Sequence, residues 1–140
     1  MNYLVKTFEV SGKLLIGIIL IIVIVNYSKL PDTIPIHYGL SGEPDNFGSK
    51  IFIFTLPALY IFLYFGIGSF LEKQKNNILL VNYVRFMIGV LFLLIILNTI
   101  NIAYGGSGFE TDWLFPALVL LTLIPVIISI FKNKQNKKGG

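Results

Sequence analysis

From Leu14 to Val25 the chain runs through twelve residues without one polar side chain. In water such a stretch would have to be covered on every side. In lipid it needs only to satisfy its own backbone, and an α-helix does that internally. Three more apolar runs follow, so that the four cover about 10–27, 51–71, 84–103 and 113–131. Each is within the ~17–25 residues that cross ~30 Å of hydrocarbon. β-branched residues are abundant, above all in the first run, and in water they would favour strands. Lipid reverses that preference because an open strand edge finds no partner there. The expected fold is all-α: one polytopic membrane domain over 1–140, with four transmembrane helices and a folded outer loop of about 20 residues between the first two.

Composition agrees. Hydrophobic residues make up 55% of the 140 and charged residues 13%, against about 25% charged in an ordinary soluble domain. A small domain leaves too much surface exposed to hide that much apolar area from water. Cysteine is absent, which removes disulfides, thiol nucleophiles and thiolate metal sites. The first run also has features of a secretory leader, with Lys6 and Lys13 at its start. The residues after it, Asn26-Tyr27-Ser28-Lys29-Leu30-Pro31, carry no small-residue cleavage pattern, so the run is expected to remain as a span. Pro57, Pro116 and Pro125 fall inside the second and fourth runs and are expected to kink them.

The net charge is +4. Nine of the eleven basic residues (Lys6, Lys13, Lys73, Lys75, Arg85, Lys132, Lys134, Lys137 and Lys138) flank the runs on one side, while five of the seven acids flank them on the other. Basic residues stay on the cytoplasmic side. The expected location is the cell membrane, multi-pass, with the N- and C-termini cytoplasmic. The basic tail, 132–140, then faces anionic lipid or a cytoplasmic protein; it is not read as a nucleic-acid site.

Loop 28–50 is the most specific part of the chain. Pro31 and Pro35 bias the residues before them towards extended backbone. Gly39, Gly42 and Gly48 permit reversals, and Leu30, Ile34, Ile36, Tyr38 and Phe47 alternate with polar residues. A compact loop folded down on the membrane surface is expected. The order Leu30-Pro31, Ile34-Pro35, His37-Tyr38, Gly42, Asp45, Gly48-Ser49-Lys50 resembles the short N-terminal domain of unknown function found in SdpI-type membrane proteins. The resemblance covers the first two spans and their loop. It implies a role in immunity to a secreted antimicrobial peptide met on the outer face, or in membrane signalling through a cytoplasmic protein. The candidate binding residues are therefore Pro31, Pro35, His37, Tyr38, Gly42, Asp45, Gly48, Ser49 and Lys50. Of these, His37, Asp45 and Lys50 are the recognition groups, and the prolines and glycines set the backbone.

His37 is the only histidine. With Asp32, Glu43 or Asp45 it makes a poor three-ligand set, so no metal and no cofactor is expected. Asp45 and Lys50 are read either as an ion pair across the loop or as separate solvated charges. Tyr104-Gly105-Gly106-Ser107-Gly108 in the second outer loop partly echoes Tyr38-Gly39-Leu40-Ser41-Gly42, through duplication or through the general use of Gly and Ser in turns.

Within the spans, Asn98, Thr99 and Asn101 cluster towards the outer end of the third run and are expected to hydrogen-bond across helices. Gly66, Gly68 and Gly89 allow close helix approach. No nucleotide fingerprint, catalytic triad or zinc-helix motif occurs, so no catalytic residue is assigned and an enzyme is not expected. Three roles follow in order: immunity or signalling by interaction, an accessory subunit of a larger membrane complex such as a transporter, and a membrane-embedded enzyme or carrier. The oligomeric state is left open.

Overall fold

The computed structural model describes residues 3–39, 43–71, 78–108 and 114–136, without the side chains of 67–71, 115 and 130–136. It is mostly helical. Helix α1 (Tyr3–Tyr27) leads into strands β1 (Thr33–Tyr38) and β2 (Pro44–Ser49), then a 3₁₀ turn (Lys50–Phe54), α2 (Thr55–Leu71), α3 (Ile78–Ala103) and α4 (Leu114–Asn136). Two of these, α1 and α3, are long and apolar enough to cross a membrane; the apolar stretches Lys50–Gly66 and Pro116–Ser129 are shorter.

The helices extend beyond the apolar runs. α1 begins at Tyr3 rather than near Val10, and its polar first turns are held by side chains four residues apart. Thr7 Oγ1 donates to the Tyr3 carbonyl at 2.9 Å, and Lys13 Nζ meets Glu9 Oε1 at 2.6 Å. α3 likewise begins at Ile78, before the run at 84.

Within loop 28–50, Thr33–Tyr38 and Pro44–Ser49 pair as an antiparallel two-stranded hairpin, a small sheet beside the mostly helical fold that the all-α expectation did not include. The helix stops where Lys29 N and Leu30 N both donate to the Asn26 carbonyl, and Pro31, with no N–H, cannot continue it. Pro35 is accommodated because each strand of a two-stranded ribbon has a free edge.

Pro57 and Pro116 each lie near the start of the described part of their helix, and α2 follows the 3₁₀ turn without a break. Only Pro125 is interior among the described residues.

α1 and α3 run parallel: Asn82 Nδ2 donates to the Val5 carbonyl (3.3 Å) at one end, and Tyr104 Oη donates to Asn26 Oδ1 (3.1 Å) at the other. α2 runs back against this pair, packing more on α3 than on α1. Leu15, Ile19 and Val23 of α1, Tyr60 and Tyr64 of α2, and Phe92, Ile96 and Ile100 of α3 recur four residues apart, as one helix face requires. Leu30, Ile34 and Ile53 extend the same core under the hairpin.

Glycine lets this core close. A Cβ on Gly89 would collide with the Tyr60 hydroxyl, and one on Gly12 would lie 2.7 Å from the Tyr64 ring. With neither Cβ present, the Tyr60 hydroxyl reaches the Gly12 carbonyl (3.1 Å) and the Arg85 carbonyl (3.3 Å), and Tyr64 donates to the Glu9 carbonyl (3.1 Å). Small residues on one helix thus make room for polar groups from another, a packing mode suited to lipid, where burial alone drives nothing. The opposite side of α1 exposes Leu14, Ile18, Ile21 and Ile24, a surface that suits hydrocarbon and not water.

α3 ends in a Schellman cap. Gly105, at φ +84°, takes the left-handed position, Gly105 N donates to the Ile102 carbonyl and Gly106 N to the Asn101 carbonyl, both at 2.9 Å. Tyr38-Gly39, by contrast, closes a strand. The echo between the two loops is therefore not a shared conformation across their described parts.

Candidate functional site

Backbone hydrogen bonds fasten the hairpin at its base and near its tip. Lys50 N donates to the Asp32 carbonyl at its base, and Gly39 N donates to the Glu43 carbonyl near its tip, both at 2.9 Å. Ile34 points into the helical core at 1% exposure. Tyr38 crosses to α3, where its hydroxyl lies 2.7 Å from Thr99 Oγ1. Burial pushes the Tyr38 phenol above its ordinary value, and the hydrogen bond to Thr99 offsets only part of that. The phenol therefore stays neutral and can donate.

Pairing along the ribbon is irregular on both strands. Pro35 opposes Phe47, His37 opposes Asn46 and Tyr38 opposes Pro44, so Ile36 and Asp45 have no opposite residue. Such bulges bend a strand and re-aim its side chains. Ile36 packs over Gly48, where a Cβ would lie 2.8 Å from its terminal methyl. Asp45 is turned towards β1, placing its Oδ1 2.5 Å from His37 Nδ1. Both side chains remain more than half exposed. The carboxylate accepts, so Nδ1 carries the proton and Nε2 is left for another partner.

Of the two alternatives for Asp45 and Lys50, an ion pair across the loop or separate solvated charges, the geometry excludes the pair, and each meets another partner. Along an extended strand five residues span roughly 16 Å, beyond the reach of an ion pair. Lys50 instead meets Asp32 Oδ1 at 3.0 Å, donates to the Leu30 carbonyl at 3.2 Å and lies 5.6 Å from the centre of the Tyr27 ring. It closes the base of the hairpin, whereas His37 and Asp45 mark its outer part. Ser49 caps the 3₁₀ turn, its hydroxyl 3.5 Å from Ile51 N. Gly42 lies outside the described residues.

Of the residues within the spans, Thr99 joins the hairpin site directly. Asn98 is buried at 1% exposure, its Oδ1 beside Gly108 of the following loop. The Asn101 side chain packs on Gly106 in the cap. A cavity of about 180 Å³ lies between the hairpin, the 3₁₀ turn, α2 and α3. Its walls include Ile36, Tyr38, Phe52, Leu56, Ile95 and Thr99. Among the described residues no three His, Asp or Glu side chains gather closely enough to hold a metal.

A second polar cluster at the other end of the bundle was not legible as one. Arg85, expected as a boundary charge, is only 8% exposed. Its guanidinium donates to Asn82 Oδ1 at 3.1 Å and stacks 4.9 Å from the Tyr64 ring centre. The available signal was spacing: Asn82 and Arg85 are three apart and Tyr60 and Tyr64 four apart, each pair on one helix face.

These features define a helical bundle capped at one end by a pinned β-hairpin. Residues 14–61, from the middle of α1 through the hairpin to the first turns of α2, contain a domain of unknown function, DUF1648. An uncharacterised protein of Archaeoglobus fulgidus is 49% identical over 37 residues, which cover 26% of this chain and 20% of the relative. The match thus spans about a fifth of that protein's length. No solved structure matches the chain.

Proposed function

We propose that the protein is a four-span membrane protein with both ends in the cytoplasm, and that its hairpin recognises a secreted antimicrobial peptide on the outer face, giving immunity or passing a signal by protein interaction. The observation that carries this reading is the pinning of the hairpin. Ile34, Tyr38 and Lys50 tie it to the bundle, while His37, Asp45 and Phe47 stay exposed. A connector needs no such anchoring; a recognition surface gains affinity from it, because its ordering cost is met before binding. Charge distribution supports the orientation. Lys6, Lys13 and Arg85 lie towards one end of the bundle, with Asp32, Glu43 and Asp45 at the hairpin end. The SdpI-like motif supports the substrate class.

The test is protection. Sensitive bacteria expressing the chain are challenged with secreted killing peptides, beside His37→Ala and Asp45→Ala variants whose insertion is verified. Survival lost in the variants supports the reading. Survival equal to that of unprotected cells, with the wild-type protein inserted, rejects it. The exposed Leu120, Leu123, Ile124 and Ile127 of α4 would then direct attention to an accessory subunit, with co-purified partner helices as its signature.

A further inference from the structure

We infer that the cavity beneath the hairpin binds one aromatic or branched apolar side chain of a peptide, with a neutral carbonyl of that peptide accepting a hydrogen bond from the Tyr38–Thr99 hydroxyl pair. The inference rests on the outer-face recognition proposed above and names the chemistry it selects.

Volume sets the size of the group. A dry cavity of about 150 Å³ admits benzene, so about 180 Å³ accommodates a phenyl or isobutyl group and little more. The lining sets its polarity. Ile34, Ile36, Phe52, Ile53, Leu56 and Ile95 contribute hydrocarbon, and among the described residues no charged one lines the space. A cationic or anionic group would be desolvated there without a partner.

The hydroxyls supply the one directional contact. Tyr38 and Thr99 together own two protons and four lone pairs, and the 2.7 Å bond between them uses one proton. The other proton is left to donate to an acceptor, while Thr55 is already engaged, donating to the Phe52 carbonyl at 2.6 Å.

Position favours a peptide over a lipid tail. Four of the ten lining residues come from β1, more than from any other element, and Ile36, itself 41% exposed, precedes His37 in that strand. An extended peptide lying along β1 would place one side chain in the cavity and its neighbours against the His37–Asp45 pair, in the manner of strand addition to a sheet edge.

The probe is N-acetyl-phenylalaninamide, with N-acetyl-lysinamide and N-acetyl-glycinamide as comparisons, titrated onto the full chain in lipid nanodiscs and followed by ligand-observed NMR. Leu56→Phe and Ile95→Phe fill the cavity from two different walls, so that misfolding of one variant leaves the other to report. Saturable binding of the phenylalanine probe, weakened at least tenfold by either filled variant and not matched by the lysine probe, is the expected result. Partition into lipid is the same for all variants and cancels in the comparison. Equal signal in wild type and both folded filled variants overturns the inference. A cavity signal displaced by raising the fraction of short-chain phospholipid assigns the space to acyl chains and also overturns it. Protection assays on the same variants separate the two ideas. Cavity binding without protection rejects immunity and keeps the site, whereas protection that needs His37 but survives cavity filling does the reverse.

Discussion

Tyr83 on α3 donates its hydroxyl proton to the Leu121 carbonyl on α4 at 2.9 Å. That carbonyl lies four residues before Pro125, which has no N–H to offer it. An acceptor orphaned by proline in one helix is therefore satisfied by a side chain from another, and the same bond ties α4 to the bundle. Membrane helices tolerate interior proline by this kind of repair.

Tyr83→Phe should destabilise the α3–α4 contact by about 0.6–1.7 kcal/mol, the range for hydrogen bonds between membrane helices. Pro125→Ala restores the helical donor, so Tyr83→Phe should cost much less in that background. Unfolding of the four proteins of this double-mutant cycle measures the coupling. Additive effects would mean that the Tyr83 bond and the proline are unrelated.

Gly89→Ala should disrupt the core, because its new methyl enters the space of the Tyr60 hydroxyl and of Leu15. Overpacking of this kind costs ~1–3 kcal/mol. Tyr60→Phe removes the closest atom and should recover part of the loss when combined with it. Gly17→Ala and Gly66→Ala, which meet nothing within 4 Å, serve as controls and should be close to neutral. Thermal stability in detergent ranks the set, and a Gly89→Ala protein as stable as Gly17→Ala would contradict the packing described.

Lys50 and Asp32 should respond unequally. Asp32 is almost fully exposed, so Asp32→Asn should leave the hairpin nearly unchanged, as exposed ion pairs contribute little. Lys50→Met also removes the donor to the Leu30 carbonyl and should loosen the hairpin base, by about 1–2 kcal/mol for a part-buried charge-assisted hydrogen bond. Hydrogen exchange at Lys50 N, which donates to the Asp32 carbonyl, reads this directly. Equal protection in the two variants would count against a structural role for the lysine.

Alkaline pH should weaken the attachment of the hairpin. Because the folded-state pKa of Tyr38 lies above the ordinary value of 10.0, the unfolded chain loses its phenolic proton first. Stability from this group is intact below about pH 10 and falls as pH rises further. Tyr38→Phe should make the protein less stable at neutral pH and flatten this alkaline decline. An unchanged decline in the variant would assign it to other tyrosines.

The helices were legible because each apolar run is long, and a backbone in hydrocarbon has only itself to bond to. Pro31 and the motif around His37 likewise marked loop 28–50 as specific before any fold was known. The partners within that loop were not legible. His37 meets Asp45 only because Ile36 and Asp45 each bulge from a ribbon, and a bulge depends on what the strands pack against, here Gly48 and the helical core. Lys50 meets Asp32 because the antiparallel register that sets Thr33 opposite Ser49 brings the two together at the base, while strand length separates Lys50 from Asp45. Arg85 read as a boundary charge because its neighbours in sequence are apolar, while the groups that bury it, Asn82 and the Tyr64 ring, are assembled by helix packing. The amino-acid sequence by itself determined which segments are helical and apolar, through local hydrogen-bond demand. Only the tertiary structure decided which polar groups meet, because those contacts are set by glycine gaps, bulges and a proline-orphaned carbonyl that come together from distant parts of the chain.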